Sequence, residues 1–346
     1  MLNKKIQNKT ELRDEINLIL KKHSLLNAHL ESQLIISHSA KKSNYLNVKF
    51  DEINIQEIEK IIEERLKGKP LSKIIKQKGF WKDLFYTDEN TLDPRSDSEV
   101  LIENIIKDFN ALKDDQFNFI DLCCGTGCLG ISLLKEFKSS KCDFIDISSK
   151  ALSNCKRNIS ALFVDNRSNL FESDLFESYP ISKIRNVRFI ICNPPYMPTK
   201  EYYLLDKETL HDPKISLDGG SKGLDFYIRI IEFLENLQYT GDVYFEIDPL
   251  IIAELDKFLL EKALKIVYKK QDYLKLNRLL RGFRYDDYVG YTVTGSDADT
   301  NEIIFQKADS YGAKTVDTIA KTTVPAHRGF AVGRYLTTEL RWNCSC

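Results

Sequence analysis

The tetrapeptide Asn193-Pro194-Pro195-Tyr196 closes the apolar run Ile190-Ile191-Cys192. Consecutive prolines fix φ and donate no backbone hydrogen bond, so a strand arriving here must stop and leave the carbonyls of Asn193 and Pro194 outside any ladder. An Asn side-chain oxygen beside a rigid backbone carbonyl makes a pair of acceptors suited to an –NH2 group, which has two hydrogens to donate. The ring of Tyr196 offers a flat group a surface to rest on. A plain proline turn after a buried strand has the same residues, so context must separate the two readings.

That context begins upstream, in Phe119-Ile120-Asp121-Leu122-Cys123-Cys124-Gly125-Thr126-Gly127 and the apolar stretch that follows. Gly125 and Gly127 let backbone approach a bound molecule closely, and a helix starting behind them offers free N–H groups. No Gly-Lys-Ser/Thr follows, which excludes the lysine-containing phosphate cradle, and the loop is read as lacking the full G-x-G-x-x-G spacing, which makes a dinucleotide reading weak. Asp146 ends the next apolar run, about 20 residues on, where a carboxylate can accept from ribose hydroxyls. Asp174 ends a further short segment and could accept from the exocyclic amine of an adenine, with Leu175 or Phe176 against the ring. Each carboxylate taken singly also suits a solvated loop or a helix cap. Asp121, Asp146 and Asp174 at successive strand ends together favour a nucleoside ligand.

The elements that must position these groups read as an α/β fold. Expected strands at 117–122, 143–147, 187–191 and 242–247 alternate with helical stretches such as the one carrying Leu129, Leu133 and Leu134, the pattern of a doubly wound sheet with ligand groups at its carboxyl edge. Residues 1–75 read as a small helical domain. Leu12, Ile16, Ile19 and Leu20 form one stripe after Thr10, Leu30, Leu34 and Ile35 a second, and Ile58, Ile61, Ile62 and Leu66 a third. Asn54 and Glu57 cap the third helix, which Gly68 and Pro70 stop. Residues 76–95 read as a β-hairpin linker turning at Asp88-Glu89-Asn90. Ser96 and Glu99 have capping-box spacing ahead of a helix bearing Val100, Ile102, Ile105, Ile106 and Phe109. The main catalytic domain is expected over 96–284. Residues 285–346 read as an appended tail that could be disordered, with a short strand pair within Tyr291–Phe305.

Composition narrows the class. A net charge of −1 over 346 residues gives no bulk attraction to nucleic acid or membrane. No run reaches the roughly 18 apolar residues of a membrane span, and the polar, Lys-rich start lacks a signal peptide's apolar centre, so a cytoplasmic protein is expected. The eight cysteines are not read as a disulfide framework; Cys123, Cys124, Cys128, Cys142, Cys155 and Cys192 are expected to be small buried apolar residues, and no metal site is expected because neither the cysteines nor the scattered histidines give a second ligand pair.

The segments DLCCGTGCLGISLL, FIDIS, SDLF and NPPY resemble the S-adenosylmethionine-dependent methyltransferases of Rossmann-like fold. Three more, GKPLSKIIKQKGFWKDLFY, LDPRSDSEVLIE and ISLDGGSKGLDFYIRII, resemble the HemK/PrmC family, which methylates the glutamine of the Gly-Gly-Gln motif in peptide chain release factors. The resemblance spans about residues 5–284. It implies S-adenosyl-L-methionine as cofactor, bound by Asp121, Gly125, Gly127, Asp146, Asp174, Leu175 and Asn193. It implies an amide held by Asn193 and Pro194 and walled by Pro195 and Tyr196. Release factors would be the protein partners, gripped in part by the helical domain of a monomeric enzyme, with no direct nucleic-acid or membrane contact. Glu201 and Asp212 are expected near the substrate entrance. Glu246 is expected either to wall the cleft or to cap a helix ahead of Pro249. Cys123, Cys124, Asp93, Ser96 and the tail depart from the family pattern. An adenine-N6 or other nucleic-acid methyltransferase sharing the NPPY clamp is the alternative, and a silent cofactor-binding scaffold a further one.

Overall fold

The computed structural model describes residues 2, 6–25, 27–260 and 262, and beyond them the strand segments 264–271, 277–284, 290–296, 303–308 and 320–322. The chain divides into two compact units. The first comprises residues 1–78, 86–93 and 205–213; the second comprises 79–85, 94–204 and 214–346.

Four helices build the first unit: α1 (Lys9–Lys22), α2 (Ala28–Ser39), α3 (Ile55–Leu66) and α4 (Leu71–Ile75). Asn8 caps α1 and Asn54 caps α3, each accepting from the backbone N–H three residues on. Leu12, Ile16, Leu20, Ile58, Ile61 and Ile62 are buried as their spacing requires. The second stripe is different from expectation. Of its three residues Ile35 is buried as expected, but Leu30 and Leu34 are exposed, and α2 buries Ala28 and Ile36 beside Ile35, as a helix with apolar residues on several faces permits.

The later segments are tied into this unit by buried charge. Lys73 on α4 is 3% exposed. Its ammonium lies 2.8 Å from Asp93 and 2.9 Å from Asp212, and donates to the carbonyls of Asp88 and Thr91 at 2.7 and 2.6 Å. Asp93 also accepts from Ser72 and Thr87. Burial pushes the Asp93 carboxyl up, but the Lys73 charge and the hydrogen bonds from Lys73, Ser72 and Thr87 outweigh it and hold the group below its ordinary range. Arg65 makes a second such tie, to Glu31 at 2.8 Å and Glu208 at 2.7 Å. Asp212, expected near the substrate entrance, is therefore buried in this unit on Lys73.

The hairpin strands β1 (Gln77–Phe80) and β2 (Asp83–Tyr86) turn at Trp81-Lys82, not at Asp88–Asn90, with Trp81 in the left-handed region at φ +54°. The second unit continues through α5 (Glu99–Asp108), β3 (Asn118–Leu122), α6 (Cys128–Glu136), β4 (Lys141–Asp146), α7 (Ser149–Ala161), β5 (Ser168–Glu172), α8 (Ile181–Ile184) and β6 (Val187–Cys192). Then come α9 (Thr199–Tyr202), α10 (Asp225–Leu237), β7 (Asp242–Glu246), α11 (Ile252–Leu260), β8 (Leu264–Gln271) and β9 (Asn277–Arg284). The capping box at Ser96 and Glu99 does not form. Residues Ser96–Ser98 make a 3-10 turn, and Glu99 accepts instead from the backbone N–H of Trp81 at 2.8 Å.

The sheet order is β5-β4-β3-β6-β7-β9-β8. Strands β3 to β7 are parallel, and β9 runs antiparallel to both neighbours. This is a Rossmann-like, doubly wound sheet closed by an antiparallel hairpin that periodicity did not reveal. Side chains alternate between two cores, as the period of two demands. Phe119, Phe144, Phe189 and Ile191 face one. Ile120, Leu122, Ile145, Ile190 and Cys192 face the other, under α10 and α11.

In the expected tail, β10 (Gly290–Ser296) and β11 (Ile303–Ala308) form the anticipated strand pair, with Val293 opposite Phe305, and β12 (Ala320–Thr322) joins them. The rest of 285–346 lies outside the described residues. Among the described residues no helix is long and apolar enough to cross a membrane.

The buried lysine yields a prediction. Lys73→Met leaves Asp93 and Asp212 buried without their cation, and urea unfolding at pH 7 is expected to show a loss of about 3–5 kcal/mol. Because the folded-state Asp93 carboxyl is depressed, its contribution is present above the ordinary Asp range and is lost as pH falls through the depressed value. The gap between wild type and variant should accordingly narrow on acidification; a gap independent of pH would exclude this account.

Candidate functional site

Strands β3 and β6 are hydrogen-bonded neighbours, with Asp121 opposite Ile191 and Leu122 opposite Cys192. Their carboxyl ends thus deliver residues 123–127 and 193–196 to the same edge of the sheet. Connections leaving opposite faces of two adjacent parallel strands open a crevice there, the usual ligand position in such sheets.

On the β3 side, Asp121 is 1% exposed. One carboxylate oxygen accepts from the backbone N–H of Gly130 at 2.8 Å, and the other is buried with no partner among the described residues. Burial drives this carboxyl well above its ordinary range; the Gly130 hydrogen bond opposes the shift and the charge of Asp146 adds to it. Asp146 accepts from Gly125 N and from Ser148 N, both at 2.9 Å, yet burial still raises its pKa. The connecting loop passes through left-handed conformations at Cys123, Gly125 and Gly127. A Cβ on Gly125 would meet nothing within 4 Å, whereas one on Gly127 would lie 2.6 Å from Cys155 Sγ. Gly125 therefore faces open space and Gly127 faces packing.

The expectation that this loop lacks the full G-x-G-x-x-G spacing is wrong: Gly130 completes it with Gly125 and Gly127. A Cβ there would stand 2.5 Å from the Phe144 ring and 2.9 Å from the Asp121 carboxylate. The third glycine thus lets α6 approach β3 closely enough for its N–H to hold Asp121.

Asp174 and Leu175 follow β5, two strands from β3. Leu175 is buried and left-handed at φ +49°. The Asp174 carboxylate is held 2.9 Å from Arg229 on α10, which also reaches Glu177 at 3.0 Å. Any amine accepting role for Asp174 would be shared with that cation.

On the β6 side, Pro194 and Pro195 are buried and Asn193 and Tyr196 half-buried. The Asn193 amide nitrogen donates to Ser98 Oγ at 3.4 Å. Among the described residues neither Asn193 Oδ1 nor the Pro194 carbonyl accepts a hydrogen bond, so both acceptors are available. Tyr196 OH lies 3.5 Å from Glu246 Oε1. Glu246 is 1% exposed at the end of β7; the helical cap ahead of Leu250 is made by Asp248.

The tetrapeptide is braced by the loop around Asp218. Met197 N donates to Leu217 O at 2.9 Å, and Gly219 N donates to Met197 O at 2.8 Å, a short parallel bridge. A Cβ on Gly219 would fall 2.6 Å from Pro195 O, and one on Gly223 2.2 Å from Tyr196 O. These glycines are needed because another backbone passes where their side chains would be. Their signal lay in the spacing of LDGGSKG, but its target could not be read from sequence. Ser98 gave no signal at all.

Four of the six cysteines expected to be buried are so, while Cys123 and Cys128 are half-buried. Cys124, Cys142, Cys155 and Cys192 are buried free thiols, and burial raises the pKa of each.

Asp121 supports a stability test. Its folded-state pKa is raised, so ionisation costs stability once pH exceeds the ordinary Asp value, and no cost exists below it. Asp121→Asn is expected to raise unfolding stability at pH 7 by about 0.5–2 kcal/mol and to change little near pH 3. Chemical denaturation at both pH values measures this. A variant less stable at pH 7 would show that the charge is not a liability of the fold.

The Methyltransferase small domain family matches residues 89–220, a span that includes both the glycine loop and the NPPY stretch. The chain is 33% identical over 238 residues to a release factor glutamine methyltransferase of Leptospira interrogans, covering 66% of this chain and 82% of that protein. It is 31% identical over 260 residues to one from Dictyoglomus turgidum, covering 73% and 90%. A ribosomal protein uL3 glutamine methyltransferase of Neisseria meningitidis is 28% identical over 246 residues, covering 67% and 80%. With about a third of residues identical across most of the length of such relatives, the chain belongs to the release factor glutamine methyltransferase family.

Proposed function

We propose that this protein transfers a methyl group from S-adenosylmethionine to the side-chain amide nitrogen of the glutamine in the Gly-Gly-Gln motif of peptide chain release factors. The observation that carries this reading is the pair of available acceptors, Asn193 Oδ1 and the Pro194 carbonyl, at the sheet edge shared with the glycine loop.

The residues suit the cofactor. Asp121 keeps a buried carboxylate oxygen without a protein partner, and Gly125 presents backbone to open space. Asp121, Gly125, Gly127, Asp146, Asp174 and Leu175 would hold it, with Asn193 at the reacting end. Bound there, S-adenosylmethionine supplies a sulfonium methyl, to which the amide nitrogen bonds as the carbon–sulfur bond breaks and a thioether leaves. An amide nitrogen is a poor nucleophile because its lone pair is shared with the carbonyl. Asn193 Oδ1 and Pro194 O would each accept one N–H hydrogen, orienting the nitrogen and stabilising the positive charge that develops on it. The departing proton becomes acidic only as that charge develops and passes to solvent, so no dedicated base is required. Pro195 and Tyr196 would wall the amide, and the backbone bridge from residues 217–219 keeps those walls rigid.

The helical unit is proposed to help grip the release factor, with the enzyme acting as a cytoplasmic monomer. A glutamine amide and an adenine amine present the same –NH2, and the near-zero net charge disfavours the nucleic acid as substrate, since phosphate binding draws on clustered Lys and Arg.

Radiolabelled S-adenosylmethionine incubated with the protein and either a release factor or DNA tests the proposal. Label is expected on the release factor, at its Gly-Gly-Gln glutamine by peptide mass; label on DNA would overturn it. Asn193→Ala should lower turnover by about 10²- to 10³-fold while calorimetry still detects S-adenosylmethionine binding. Normal turnover in that variant would rule out the clamp.

A further inference from the structure

We infer that Asn158 is a positioning residue that holds the glycine loop in its ligand-receiving shape. The inference rests on the cofactor reading given above and identifies what orders that site before a ligand arrives.

Asn158 lies on α7 and is 1% exposed. The buried face of that helix also carries Ala151, Leu152, Cys155 and Ile159, so an apolar residue would pack there without the cost of burying an amide. The side chain is directed instead at the glycine loop, where Asn158 Nδ2 donates to the Thr126 carbonyl at 2.9 Å. A backbone carbonyl only accepts, so the contact fixes which end of the amide makes it.

Three peptide groups carry the turn from Cys124 to Gly127. The first is held at both ends: Gly125 N–H donates to Asp146 Oδ2 at 2.9 Å, and the Cys124 carbonyl accepts from Gly127 N–H at 2.7 Å. The third is held by that same Gly127 N–H and by Asn158 on the Thr126 carbonyl. The middle group, Gly125 C=O with Thr126 N–H, makes no hydrogen bond among the described residues, and it borders the open space at Gly125. The loop is thus fixed on either side of the one peptide left for a ligand.

Both anchors come from one strand–helix unit, β4 supplying the acceptor Asp146 and α7 the donor Asn158. Gly127 makes the second reach possible. A Cβ there would lie 2.6 Å from Sγ of Cys155, one turn before Asn158 on α7, so only glycine lets the loop come this close to the helix. Gly125 and Gly127 are both left-handed, and glycine backbone is the freest of any residue. Without the Asn158 anchor the turn would sample many shapes, and a ligand would bear the cost of ordering it.

The test compares wild type with Asn158→Leu, which keeps the volume but not the donor, and Asn158→Ala, which keeps neither. In both variants calorimetry is expected to show a Kd for S-adenosylmethionine about tenfold higher, with KM for S-adenosylmethionine rising in step and kcat little changed. Hydrogen exchange followed by NMR should show the Gly127 amide exchanging faster in either ligand-free variant and regaining protection at saturating S-adenosylmethionine, while the amides of β3 and β4 keep theirs. A raised Kd in Asn158→Ala but not in Asn158→Leu would mark Asn158 as packing alone and overturn the inference. Unaltered Gly127 exchange, or faster exchange spread through β3 and β4, would overturn it too. If wild type binds no S-adenosylmethionine, the cofactor reading fails, while Gly127 exchange in the ligand-free variants still decides whether Asn158 holds the loop.

Discussion

The parallel pairing of β3 with β6 is the constraint on which the site depends. Each strand is buried on both faces and fixed in register by side chains that alternate between two cores. A slip of one residue would exchange Phe119 and Phe189, now stacked at 4.9 Å, with Ile120 and Ile190 on the opposite face. The register is therefore enforced by core packing. What it delivers is polar: Asp121 and the glycine loop from one strand end, Asn193 from the next. Ligand groups can stand at this edge because the strands stop there, β3 by left-handed turns and β6 by two prolines.

Rigidity around that edge comes from backbone meeting backbone. Gly130 lets α6 close on Asp121, and Gly219 and Gly223 let the loop from residue 217 lie against Pro195 and Tyr196. At each point a methyl group would occupy space already filled by a carbonyl, a ring or a carboxylate. The result is a clamp with little freedom to relax, suited to chemistry that depends on alignment more than on proton transfer. The same enclosure leaves Asp121 desolvated, with one oxygen unpartnered. Such a group weakens the fold and is retained where a ligand can use it.

The helical unit solves a different problem. Its helices bury modest apolar stripes, and two distant segments, 86–93 and 205–213, are held to it by ions rather than by hydrophobic area. Lys73 satisfies Asp93 and Asp212 together. The charge is tolerated because its partner is equally buried and further hydrogen bonds from Ser72 and Thr87 complete the shell.

Much was legible in the sequence because local chemistry carried it. The prolines of NPPY had to end a strand, the glycines before α6 had to permit left-handed turns, and the apolar periods of the strands from 118 to 246 had to pack in layers. Helix faces were less secure where apolar residues covered more than one side, as at Leu30 and Leu34. The hairpin of β8 and β9 went unseen because its partner, β7, lies elsewhere in the chain and pairing leaves no local trace. Only the tertiary structure decided that Asp212 is buried with Lys73, that Asp174 meets Arg229, and that LDGGSKG braces Pro195 and Tyr196. It also decided that a serine 95 residues upstream meets Asn193. Residue types and short spacings determine what a segment can do; which segments meet depends on long-range packing, and that is set by the fold as a whole.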